Sequence, residues 1–199
     1  MKSTLLIMSA LIISYANSYS RSIYLSGGIC YEPVGKLDYP QRGGPKTEFY
    51  DIIKYEIGPF IKLNRDFQLG ITVGYSKKGI DPGGNTHSDL TIWDVNLISE
   101  YGYEFTESGR AVIVLGAETN YGHLADDGGY GTVSGGGFGV AGIIGWRYKI
   151  SKKSLIEMDY RFSQKEISLK GDPEKTYEFS GSTIRLLFGY TIFNSENKD

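Results

Sequence analysis

Cysteine is nearly missing from this 199-residue chain: Cys30 stands alone, so no internal disulfide holds the fold, and a small buried thiol in the first strand is its expected role. Long apolar runs are missing too. Beyond the first 20 residues no stretch approaches the roughly 20 apolar residues of a spanning helix, which excludes helical membrane spans. A strong charge bias is absent. The formal net charge is −2, which gives no electrostatic footprint for a nucleic-acid partner. Methionine is scarce, at 3 residues, while 27 Gly, 16 Tyr and 9 Phe are present, a mixture that disfavours helix interiors and suits strands and tight turns.

Residues 1–20 have the layout of a secretory signal peptide. Lys2 is the positive start, 5–13 the apolar centre, and Ala16-Asn17-Ser18 or Ser18-Tyr19-Ser20 a small-x-small cleavage site. The remainder reads as one β-barrel domain, 21–193, followed by a polar tail at 194–199, with no linker or composition shift marking a second domain.

Within that domain polarity alternates with period two, as expected when successive side chains point to opposite faces of a strand. The closing stretch puts Ile184, Leu186, Phe188, Tyr190 and Ile192 on one face and Thr183, Arg185, Leu187, Gly189 and Thr191 on the other. Phe67, Leu69, Ile71, Val73 and Tyr75 alternate in the same way with Gln68, Gly70, Thr72, Gly74 and Ser76. Eight such strands are expected, at about 22–30, 48–63, 67–76, 89–105, 110–121, 137–150, a seventh around Ile156 to Phe162, and 183–193. Short turns (Asn64-Arg65-Asp66, Thr106 to Gly109, Ser151 to Ser154) and long Gly-, Pro- and Asp-rich connections follow each other in strict alternation. That rhythm predicts an all-β, eight-stranded antiparallel up-and-down transmembrane β-barrel with four long loops on one side.

A secreted barrel with an apolar interior and a polar exterior would use similar strands. Two features favour lipid outside. Aromatics gather near the strand ends on the apolar face (Phe67 and Tyr75, Trp93 and Tyr103, Trp146 and Tyr148, Tyr160 and Phe162), as the two headgroup girdles of a membrane barrel require. The opposite face carries Lys54, Glu56, Glu100, Glu118, Arg147, Glu157, Asp159, Arg161 and Arg185, charges of both signs that fill the narrow lumen of eight strands as a paired structural network. Arg185 is placed to meet Glu157 or Asp159, and the closing strand must pair with 22–30. Pro59 cannot donate to a ladder, so a bulge or strand boundary is expected near Gly58-Pro59.

The sequence resembles small eight-stranded outer-membrane barrels, the PorT-type barrel domain above all and more loosely the barrels of OmpA and OmpX. Gly70-Ile71-Thr72-Val73-Gly74-Tyr75-Ser76-Lys77-Lys78-Gly79, a strand leaving into a basic, glycine-ended loop, carries the likeness together with the aromatic-tipped closing strand. Asn96-Leu97-Ile98-Ser99-Glu100-Tyr101 departs from the Pro-containing strand often seen there, and Phe193 is followed by the tail. The resemblance implies a monomer in the bacterial outer membrane, in contact with lipid and assembled by the barrel-assembly machinery through its closing strand. It names no extracellular partner.

Enzymatic chemistry finds little support. His87-Ser88-Asp89 holds triad residue types, but neighbours on an extended segment point apart. His123 with Asp126-Asp127-Gly128-Gly129 lacks the spaced ligands and closing Glu of a calcium loop. The run Gly135-Gly136-Gly137-Phe138-Gly139 has no helix to hold phosphate, and Lys77-Lys78 and Lys152-Lys153 suit solvent or lipid headgroups. The expected function is structural or surface-interacting, through the outer loops, with no cofactor, no metal and no catalytic residue. A small-solute channel or ligand-binding barrel is the alternative, and a lipid A-modifying enzyme the third.

Overall fold

The computed structural model describes residues 22–38, 47–80, 88–128, 131–169 and 176–194. The expected signal peptide, His87 and nearly all of the polar tail lie outside them. Eight strands follow one another: β1 (Ser22–Asp38), β2 (Thr47–Lys62), β3 (Phe67–Ile80), β4 (Ser88–Glu104), β5 (Ala111–Gly128), β6 (Gly131–Lys149), β7 (Ser154–Leu169) and β8 (Thr176–Asn194). Each pairs antiparallel with its neighbours, and β1 pairs with β8, so the sheet is a closed barrel without a free edge strand.

The three short turns are each fastened by a side-chain oxygen. Asn64 Oδ1 accepts from the backbone N–H groups of Asp66 and Phe67 at 2.9 and 2.8 Å. Thr106 Oγ1 accepts from Ala111 N–H at 3.2 Å, and Ser151 Oγ from Lys153 and Ser154 at 3.1 and 3.0 Å. Such local bonds let polar residues end a strand without leaving the ladder's last donors unpaired. Gly109 reverses the β4–β5 turn at φ 61°, a conformation L side chains avoid. Gly109→Ala should therefore cost about 1–2 kcal/mol, read as a shift of the urea unfolding midpoint in lipid vesicles.

At the other end the strands run further than polarity alternation suggests. β5 and β6 remain paired up to Gly128 and Gly131, leaving only 129 and 130 between them, and β1 continues to Asp38. The reason lies in what each pattern reports. Alternation marks where one face meets lipid; above that level the outward face is polar while the backbone ladder continues. Strands of 14–19 residues exceed the roughly 9–11 that cross a bilayer, so the barrel projects beyond it at this end.

Pro59 does not produce a bulge or a strand boundary. β1 pairs straight through it (Leu25 with Pro59), and the register to β3 is unchanged on either side, Ile57 with Val73 and Phe60 with Gly70. Only the β3 ladder is interrupted, at Gly58 and Pro59, where the missing N–H removes a rung without inserting a residue. Irregularity falls instead on the closing pair, with register shifts between Ile23 and Tyr24 and between Tyr31 and Lys36.

Outward side chains form an apolar band. Leu25, Ile57, Val73, Leu97, Leu115, Val140, Ile144, Met158, Leu186 and Phe188 are exposed, an area no soluble surface carries without a partner. Tyr31, Tyr55, Trp93, Tyr121 and Phe138 rim it toward the long-loop end, and Tyr101, Tyr103, Trp146, Tyr148 and Tyr190 toward the turn end. Two aromatic girdles around an apolar wall are the exterior of a transmembrane barrel.

Candidate functional site

The interior of that wall is filled by charge. Arg185, on β8, is fully buried and meets four carboxylates from three strands, β2, β4 and β7. Its Nε donates to Asp159 Oδ2 at 2.5 Å, Nη1 to Glu56 Oε1 at 3.1 Å, and Nη2 to Glu100 Oε1 and Glu157 Oε1 at 3.0 Å each. Asp159 stands directly across the β7–β8 ladder from it, so period-two placement alone brings the first contact.

Two further guanidinium groups bracket this hub. Arg147 Nε donates to Glu157 Oε2 at 2.6 Å and its Nη2 to Glu100 Oε2 at 2.5 Å. Arg161 reaches Glu56 Oε1 at 3.2 Å and Asp159 Oδ1 at 3.2 Å, and pairs with Glu118. Lys54 lies 3.3 Å from both Asp94 Oδ2 and Glu32 Oε1. Neutral groups take up remaining lone pairs: Gln68 Nε2 donates to Glu100 Oε2 at 2.5 Å, Thr72 Oγ1 to Glu56 Oε1 at 2.9 Å, and Asn120 Nδ2 to Glu118 Oε1 at 3.0 Å. Cys30 Sγ, buried on β1, donates to Glu56 Oε2 at 3.3 Å. Buried charge survives only when paired and hydrogen-bonded, and planar guanidinium forks suit that task.

All nine charged residues expected in the lumen are buried there; eight are linked through the Arg185 hub, and Lys54 pairs instead with Asp94 and Glu32. Two members escaped the sequence reading. Asp94 holds Lys165 at 2.8 Å as well as Lys54, and Lys165 Nζ sits 5.0 Å from the Phe179 ring centre. Parity was the available signal: Lys165 continues the Glu157, Asp159, Arg161 series, and Asp94 lies on the polar face of β4. Among the described residues the buried set comprises six carboxylates (Glu56, Asp94, Glu100, Glu118, Glu157, Asp159) and five cations (Lys54, Arg147, Arg161, Lys165, Arg185).

Apolar layers close the lumen on both sides of this network. Toward the turns, Tyr24, Phe60, Ile98 and Ile143 cluster with Leu155, and the Tyr24 and Phe60 rings stack at 5.2 Å and 8°. Toward the long-loop end, Ile52, Leu90, Ile92, Leu124, Ile167 and Phe179 are buried on inward faces. A polar cavity of about 20 Å³ between Glu32, Lys54, Asn120 and Lys165 has room for about one water.

The other sequence candidates do not assemble. Asp89 is paired outward with Lys77 at 2.9 Å. His123 faces outward beside Trp93, and Gly135–Gly139 belongs to β6. No group of metal-ligating side chains occurs among the described residues.

No family model and no curated protein matches this sequence. Solved structures do. OprG from Pseudomonas aeruginosa, an outer membrane protein, superposes with TM-score 0.61 at 14% identity, covering 89% of this chain and 98% of its own. Neisserial surface protein A gives 0.60 at 12%, covering 84% and 96%. Ail, the attachment invasion locus protein of Yersinia pestis, gives 0.53 at 11%, covering 87% and 99%. The fold is that of a small outer-membrane barrel. At these identities the likeness concerns architecture, and function has to come from this chain's own residues.

Proposed function

We propose that this chain is an integral outer-membrane β-barrel with an occluded lumen, serving as a rigid membrane anchor whose projecting rim and loops engage partners at the cell surface. The observation that carries this reading is the closure of the lumen by the Arg185 network between two apolar layers. A barrel built for passage would spend its interior on water; this one spends it on ion pairs. The projecting β5–β6 hairpin and the neighbouring strand ends put a rigid scaffold under the loops, where binding residues usually sit. The name of Ail, an attachment protein, agrees with a surface role, and the 70–79 stretch with the closing strand supports placement among PorT-type barrels. The chain acts as a monomer in lipid, without a cofactor or catalytic group.

Planar-bilayer recording of the purified protein tests the occlusion. The expected record lacks ohmic single-channel steps at molar salt. Reproducible steps would establish the small-solute channel instead.

A further inference from the structure

At the turn end the barrel mouth opens into a basin of about 210 Å³ above the Tyr24 and Leu155 layer, and its walls are basic. Lys62, Arg65, Lys149, Lys152 and Lys153 line it against two carboxylates, Asp66 and Glu104. The whole chain has a net charge of −2, while the lining of this mouth carries a local excess of cations over carboxylates. Glu104 is shared by two of the cations, Lys149 at 2.6 Å and Arg65 at 2.8 Å. Lys152 and Lys153 are exposed and have no ion pair among the described residues.

These lysines sit on a held turn. Besides its Ser151 fastening, Lys153 C=O accepts from Thr191 N–H at 2.7 Å, which ties the β6–β7 turn to β8. Across the mouth, Asp66 C=O accepts from Gly102 N–H at 2.6 Å and fixes the β2–β3 turn to β4. The basin is thus a formed concavity with cations on its rim and a floor where Tyr24, Val112 and Leu155 lie beside the buried Gln68 and Arg147.

We propose that this mouth is a binding site for a phosphate-bearing ligand, with Lys152 and Lys153 contacting the phosphate oxygens and Lys149 and Arg65 setting the local positive field. Ammonium groups bind phosphate as point charges, and a concave site with low-dielectric walls focuses their field. Two sources have this chemistry: a free periplasmic phosphate compound, or the headgroup of an anionic phospholipid in the adjoining leaflet. The proposal rests on the outer-membrane reading only for which compartment the mouth faces.

Amide NMR of the full barrel in zwitterionic phosphocholine nanodiscs tests it, with inorganic phosphate as the soluble probe and discs containing one-third phosphatidylglycerol as the lipid arm. Saturable shifts confined to the Lys149–Leu155 turn, Tyr24 and Gly102 are expected in at least one arm, weakened at least tenfold in Lys152→Gln/Lys153→Gln. Response to phosphate alone assigns a soluble ligand; response to phosphatidylglycerol assigns the headgroup. Absence of saturable shifts in both arms would overturn the site, as would shifts unchanged in the double variant. Both substitutions lie on exposed turn residues, and unchanged heat-modifiable gel mobility certifies the variant's fold. Bilayer conductance does not enter this test, so its failure would leave the anchor reading standing.

Discussion

Arg185→Met is expected to destabilise the folded barrel by about 3–5 kcal/mol, the range for removing one partner of a buried ion pair. Methionine fills the space of the arginine stem out to about Nε, so the volume lost is that of the guanidinium end. What changes is the balance: six buried carboxylates would face four cations in place of five. Each of Glu56, Glu100, Glu157 and Asp159 keeps another basic neighbour, Arg161 or Arg147, so the cost is excess charge held out of water, with no single orphan. A second variant separates this from lost packing. Asp159→Asn added to Arg185→Met restores a one-charge excess and should recover at least half of the loss. Urea unfolding in lipid vesicles reads both, with Lys77→Met, which breaks only the exposed Asp89 pair, shifting by less than about 1 kcal/mol. A single variant as stable as the parent would remove the hub from the account of stability.

Leu186→Arg, one residue along, should cost about 2–4 kcal/mol for a different reason: it puts a charge against acyl chains near the midplane. Leu186 is 47% exposed while Arg185 is fully buried and Leu187 is 2% exposed, so neighbouring positions in β8 meet lipid, charge and apolar filling within two residues. The measurement is the fraction of heat-modifiable, protease-resistant protein after refolding into vesicles. Full assembly of this variant would mean that the faces are reversed.

The sequence made the strand count and the inward charges legible, because both are written in period two; the strict alternation of short turns and long loops was not kept, since 129 and 130 alone join β5 to β6. Strand length was not legible, because His123 to Gly128 and Gly131 to Gly137 carry no outward apolar face, and the ladder that extends them is made of backbone groups common to every residue. The apolar layers were also hidden. Ile98, Val114 and Leu124 sit on the polar side of the alternation, and only closure of the sheet shows that an eight-stranded interior needs filling above and below its charges. Pro59 misled for a related reason: a missing donor reads as a break, yet an antiparallel strand with two partners tolerates one lost rung.

The span of the Arg185 contacts along the chain has a consequence for assembly. Glu56 and Arg185 are 129 residues apart in sequence, and Glu100 and Arg185 are 85 apart. Neither pair can form until the last strand has come round to meet the first. A partly formed sheet therefore carries unneutralised charge on the face that will become its interior, and that face cannot turn toward hydrocarbon. Neutralisation and closure become a single cooperative event, which makes open intermediates poor membrane residents and lets the completed ring latch from within.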